Sequence, residues 1–343
     1  MISRLADRTL EQIRPLFDAN LAATLAGRWA AQNRLPGSLG RFEHLVVHYG
    51  LVKGTAQPVA ARKGLVVFAS DHGIVHEGVT AEAQDDTQRQ VRQFLQGGSA
   101  AGVLCRSCHI DPLLVDVGLA AEPETGAVGR KIAGGSRSMS QTAALSTEQT
   151  VAALETGIRL AEELALRFEV VGLGQLGVGG SCAAAALLSA FSGRDAADCA
   201  QREPGLDEAT FNRRVQVIRT AVNLHQGEAI TPLGILRTLG GLDLAALTGF
   251  ILGAAARRLP VVVDGFTAGA AAVAARALSP DSLDALIFPH VDPSRPHSYL
   301  LHFLSVQPLL DLRIQEEGGF GAALGLAMLD LALHQYAEVQ GPA

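Results

Sequence analysis

The chain has 343 residues, 48% of them hydrophobic and 18% charged, with 37 glycines and a formal net charge of −6. That is ample apolar material for a large buried core and excludes a disordered chain, while the acidic balance and the lack of any Lys/Arg-rich run exclude a nucleic-acid partner. No apolar run is long and unbroken enough to span a membrane, and the first residues lack the apolar stretch of a leader, so a soluble cytoplasmic protein is expected.

In chain order, residues 4–32 place Leu5, Leu10, Ile13, Phe17, Leu21 and Leu25 at helical spacing, and Pro15 is expected to break or kink the run. Over 35–50 a Pro-Gly turn precedes Ser38, which reads as a helix start, and a second helix follows. GLVVFASDHG (64–73) is a continuous apolar run closed by polar residues, the pattern of a strand buried on both faces. Similar runs recur at 113–119, 168–174, 259–266 and 283–291. Helical patterns lie between them at 82–106, at Thr147–Arg167 (opened by Ser146, Thr147 and Glu148 near a capping box), at 210–225 and at 243–257. HVDPSRPH (290–297) reads as a loop, and 316–339 as a glycine-rich loop feeding a last helix. Strands alternating with helices predict an α/β fold with a largely parallel sheet covered on both faces, and the helical ends of the chain are expected to pack as a smaller domain.

Phe168–Leu188 draws the chemistry together. A short strand runs into Gly172, Gly174, Gly177, Gly179 and Gly180, and an alanine-rich helix begins near Ser181. Such a loop cradles a phosphate on free helical N–H groups, or simply packs a helix tightly on a sheet. It matches neither the dinucleotide fingerprint nor the lysine-bearing P-loop. In SDHGIVHEG (70–78), Asp71, His72, His76 and Glu77 suit either a metal site or a hydrogen-bonded loop at a strand end, and the flanking glycines favour the loop. Glu316 and Glu317 precede a glycine loop and read as a general base raised in pKa or as a solvated acidic turn. Cys105 and Cys108 form a lone C-x-x-C that cannot complete a zinc site.

PGSLGRFE (36–43), FASDHGIVHEGVTAEAQDDTQRQVRQFLQGGSAAGVL (68–104), VDVGL (115–119), GLGQLGVGGSCAAAALLSAFSG (172–193), GGLDLAALTGFILGAAARRLPVVVDGF (240–266) and EEGGFGAALGLAMLDLAL (316–333) resemble, in one order, the nicotinate-nucleotide:dimethylbenzimidazole phosphoribosyltransferases. The resemblance implies a Rossmann-like α/β domain over 56–304, a small helical domain from 1–55 with 305–343, and a homodimer or a heterodimer with a paralogous subunit. It implies phosphoribosyl transfer from nicotinate mononucleotide to a base such as dimethylbenzimidazole, or to a phenol, in cobamide lower-ligand synthesis, with no cofactor and no metal. The phosphate would lie on Gly177, Gly179, Gly180 and Ser181, with Gly174 and Gln175 beside it and Arg214 where the family has a lysine. Ser70, Asp71 and His72 would line the pocket of the incoming base, and Asp264 and Gly265 also belong to the implied substrate site. Gln175 stands where the family has Glu, and Gly318 where it has its catalytic Glu, which leaves Glu317 one residue early and Glu316 beside it as candidate bases. A weakened subunit pairing with an active paralogue, or a nucleotide-binding protein without transferase activity, are the alternatives.

Overall fold

The computed structural model describes residues 2–30 and 37–338. Its centre is a sheet of six strands: β1 (Lys63–Ser70), β2 (Ile110–Gly118), β3 (Val128–Gly129), β4 (Val170–Leu176), β5 (Val261–Val263) and β6 (Leu286–Ile287). Every pairing is parallel and the spatial order is 3-2-1-4-5-6. This is the doubly wound arrangement, whose strand order reverses between β1 and β4 and opens a crevice at their carboxyl ends. The apolar runs predicted as strands are β1, β2, β4, β5 and β6. The short edge strand β3 carries no such run; it pairs only Val128 and Gly129 with Val115 and Asp116.

Alternation along the strands divides the core. Val66, Phe68, Val115, Val117, Val171, Leu173, Val261 and Val263 face the helices Thr147–Ala165, Gly180–Ser192, Leu242–Ala256 and Gly265–Leu278. Leu65, Val67, Ala69, Leu114, Val170, Val262 and Ile287 face the helices Arg41–Lys53, Ala100–Ser107 and Phe320–Ala337. With side chains buried on both sides, β1 must be apolar throughout, which is why it is legible as a run. The helices Thr147–Ala165 and Leu242–Ala256 approach through glycine. A Cβ on Gly157 would lie 1.9 Å from the Ala246 carbonyl oxygen, and one on Gly249 would lie 2.0 Å from that of Leu154. Trp29 packs its ring 5.3 Å from that of Tyr336, joining the helices Ala19–Ala30 and Phe320–Ala337.

As expected, the N-terminal run breaks around Pro15 into two helices, Arg4–Gln12 and Ala19–Ala30. Several other local expectations are corrected. Ser38 does not start the next helix: Gly40 is its N-cap, and Glu43 takes the N–H groups of Gly37 and Leu39. The single helix expected over 82–106 is Asp85–Leu95 and Ala100–Ser107, because Gly97 turns at φ +70° and Ser99 caps a new start on the Gly102 N–H. Ser146 forms its capping box with Gln149 rather than Glu148. The loop of 290–297 gives way to a helix at Arg295, capped by Ser294. Residues 31 and 32 of the first predicted helix, Pro36 and position 339 lie outside the described residues.

Candidate active site

Where β1 and β4 end, two glycine loops meet. After Leu176 the chain turns at Gly177 (φ +156°) and Gly179 (φ +90°) into the helix Gly180–Ser192. A Cβ on Gly177 would sit 2.0 Å from the Ser70 carbonyl oxygen, so only glycine lets the end of β1 press on this loop. Val178 N–H donates to Thr87 Oγ1 at 3.0 Å and fixes the turn. The second loop turns at Gly318 (φ +78°) and Gly319 (φ +94°) into the helix Phe320–Ala337. Asp264, at the end of β5, holds that start, accepting from Gly319 N–H at 2.8 Å and Ala322 N–H at 3.1 Å. Gly174 lets the loops touch, since a Cβ there would lie 2.6 Å from Gly319 Cα.

The loops wall a cleft of about 540 Å³, a volume that suits a mononucleotide and an aromatic base. Its lining includes Glu82, Arg89, Gln175, Ser181, Glu203 and Glu317. Glu317 is open to the solvent in the cleft yet sits deep among protein atoms, with its Oε1 accepting from Thr267 Oγ1 at 3.2 Å. Burial, reinforced by the negative charges of Glu203, Asp264 and Asp292, pushes its carboxyl up to about 8. That is the signature of a base poised near neutral pH. Glu316 lines the cleft as well and is exposed.

The other predicted residues divide into lining and support. Gly177, Gly179 and Ser181 line the cleft with Gln175. Gly174, Gly180, Gly265 and Asp264 stand outside the lining; Asp264 is committed to the second loop and to His290 Nε2 at 3.3 Å. Ser70, Asp71 and His72 are buried behind the wall rather than at it. Asp71 Oδ2 accepts from Ala120 N–H at 2.8 Å, and the Ser70 hydroxyl donates to backbone carbonyls. His72 Nε2 and Gln175 Nε2 both reach Asp243 Oδ2, at 2.9 and 2.7 Å. Burial opposes protonation of His72, but the Asp243 carboxylate wins and holds the imidazole above its usual value. Arg214 is also withdrawn. Its guanidinium is 1% exposed and donates to the carbonyls of Val79 at 2.8 Å and Gln201 at 2.7 Å and to the Glu203 carboxylate.

The metal reading of 70–78 finds no support in the geometry: the segment is a 3-10 turn, Gly73–Glu77, with His72 buried and His76 exposed. Among the described residues no group of three or more His, Cys, Asp or Glu is placed to hold a metal ion. Burial pushes the Cys105 thiol up to about 12, so Cys105 is not poised as a thiolate. Among the described residues no helix is long and apolar enough to cross a membrane. Sequence reasoning missed Glu203, Thr267 and Asp243. Thr267 lies one turn into a helix that opens after a strand-end Asp-Gly, which is the signal that could have found it.

A phosphoribosyltransferase family model matches residues 14–342. A nicotinate-nucleotide–dimethylbenzimidazole phosphoribosyltransferase of Geobacter metallireducens is 36% identical over 329 residues, covering 95% of this chain and 93% of that one. The protein of the same description from Chloroflexus aggregans is 37% identical over 334 residues, covering 96% and 94%. The crystal structure of CobT from Thermus thermophilus superposes with a TM-score of 0.87 at 30% identity, covering 93% of this chain and 96% of that one.

Proposed function

Since the chain belongs to the nicotinate-nucleotide–dimethylbenzimidazole phosphoribosyltransferase family, we propose that it moves phosphoribose from nicotinate mononucleotide to dimethylbenzimidazole, giving an α-ribotide and nicotinate. The observation that carries this reading is the Glu317 carboxylate at the wall of one cleft, beside two glycine-capped helix starts. In the nucleotide the leaving ring is a pyridinium, which departs as neutral pyridine nitrogen with the electron pair of its bond to ribose C1′. No acid is needed. The unprotonated ring nitrogen of the acceptor supplies the pair for the new bond on the opposite face of the ribose, and the proton on its other ring nitrogen passes to the Glu317 carboxylate. The pyridinium entering beside Glu317 favours the ionised form that this step requires.

Ser181 at the first turn of the helix Gly180–Ser192, with Arg214 behind it, suits the phosphate through helical N–H groups and a fixed positive charge. Gln175, oriented by Asp243, stands at the same wall. Gly318 in the family's Glu position favours a second reading, a weakly active subunit that pairs with an active paralogue. A homodimer is the assembly we infer for the first reading. Incubation of the purified chain with both substrates tests it: nicotinate and ribotide appear one for one. Absence of ribotide with dimethylbenzimidazole, and its appearance only on adding a paralogue, overturns the first reading for the second.

A further inference from the structure

The cleft contains a carboxylate for which the transfer has no use. Glu203 belongs to the segment 201–207, which precedes the helix Glu208–Leu224. Its two oxygens accept from Nη2 and Nη1 of the Arg214 guanidinium, at 2.9 and 3.1 Å, and Oε1 also accepts from the Ser181 hydroxyl at 2.6 Å. A buried guanidinium next to a hydroxyl at a helix start is an arrangement that suits phosphate. Here a side chain 33% exposed fills it. A phosphate and a carboxylate cannot share those donors, since like charges at such separation repel and the donors are already spent. The segment is anchored at its ends, where the Gln201 carbonyl accepts from Arg214 at 2.7 Å and Asp207 caps the following helix on the Thr210 N–H at 2.7 Å, and the turn between them has fewer ties. Its turn is closed locally by Leu206 N–H on the Glu203 carbonyl at 3.2 Å, and Gly205, at φ +83°, has open space around it.

We propose that Glu203 is a built-in competitor of the substrate phosphate: in the empty cleft its carboxylate occupies the subsite formed by Ser181 and Arg214, and the segment 201–207 withdraws it when the nucleotide binds. This rests on the reading of the cleft as a phosphoribosyl site. Apparent affinity is then the intrinsic affinity reduced by the fraction of molecules with Glu203 out. Glu203 therefore sets the nucleotide concentration at which the cleft fills and discriminates against ligands without a phosphate able to displace it.

The test is calorimetric titration of the full chain and of Glu203→Gln with nicotinate mononucleotide and, separately, with inorganic phosphate. Hydrogen exchange of 201–207 in the unaltered chain, with and without saturating nucleotide, accompanies it and needs no variant. Glu203→Gln is expected to bind the nucleotide about ten-fold more tightly, the relief when about one molecule in ten is competent, and exchange in 201–207 is expected to rise on binding. Equal or weaker binding by the variant, or protection of 201–207 by the nucleotide, overturns the proposal and leaves the proposed function standing. Tighter phosphate binding by the variant with no nucleotide binding to either protein upholds the competitor and defeats the phosphoribosyl reading. No binding of either ligand to either protein overturns both.

Discussion

Replacing Glu317 with Gln removes the proton acceptor while keeping the side chain's size and its contact with Thr267. A positioned general base contributes about 10²- to 10⁴-fold, so kcat is expected to fall by at least about 100-fold with nucleotide affinity nearly unchanged. The raised carboxyl adds a pH signature. With a value of about 8 in the free enzyme, about one tenth of Glu317 is ionised at pH 7 and about nine tenths at pH 9. Thus kcat/KM of the unaltered chain rises by about ten-fold across that interval, and this rise is absent in Glu317→Gln. Initial rates of nicotinate release, followed chromatographically at several pH values, measure both effects. A variant that keeps most of its activity, with the rise intact, would refute the role given to Glu317; a comparable loss in Glu316→Gln would reassign it.

The same carboxyl bears on stability. Its folded value lies above the ordinary 4.5, so the stability present below about 4.5 is lost as pH rises through about 8; the melting temperature of Glu317→Gln relative to the unaltered chain is therefore expected to climb over that window, and a pH-independent difference would count against the shift. Arg214→Ala is expected to weaken nucleotide binding by about 10- to 100-fold, as loss of a charge-assisted contact predicts, with partial recovery in Arg214→Lys; calorimetry on a variant shown by melting to be folded decides. Asp264→Ala deprives the Gly319 and Ala322 N–H groups of their acceptor and is expected to cost about 1.5–3 kcal/mol in denaturant unfolding and to lower kcat by loosening Glu317's loop; unchanged stability would show the loop to be held otherwise. Gly157→Ala drives a methyl to 1.9 Å from the Ala246 carbonyl and is expected to destabilise by about 1–3 kcal/mol or more, a melting temperature equal to the parent's being the contrary result.

The central strands were legible because a strand with side chains buried on both faces has no room for polar interruption, as in Val66–Phe68. The edge strand Val128–Gly129 was not, since a two-residue pairing leaves no pattern to read. The glycine loops were visible as composition, but their meaning lies in long-range contacts. Gly174 is glycine because Gly319 passes against it, far along the chain. Asp264 reads as a candidate ligand from its place after a strand and turns out to brace the second loop. Arg214 reads as a phosphate contact, but nothing in TFNRRVQV reveals that Glu203, within an ordinary-looking acidic segment, pairs with it in the empty cleft. His72 and His76 share a motif but not a face, since the turn after β1 buries one and exposes the other. Glu317 illustrates the reverse. The sequence places it one residue early in a glycine loop, and the positive-φ turns at Gly318 and Gly319 leave its carboxylate at the cleft wall.

The most direct measurement is a crystal structure of the chain with nicotinate and the α-ribotide bound. The phosphate is expected at Ser181 and Arg214, with Glu203 withdrawn from both, and a Glu317 oxygen within about 2.6–3.2 Å of the acceptor ring nitrogen that lost its proton. A ribotide whose phosphate lies elsewhere in the cleft, or a Glu317 carboxylate turned away from the acceptor, would contradict the roles given to these residues.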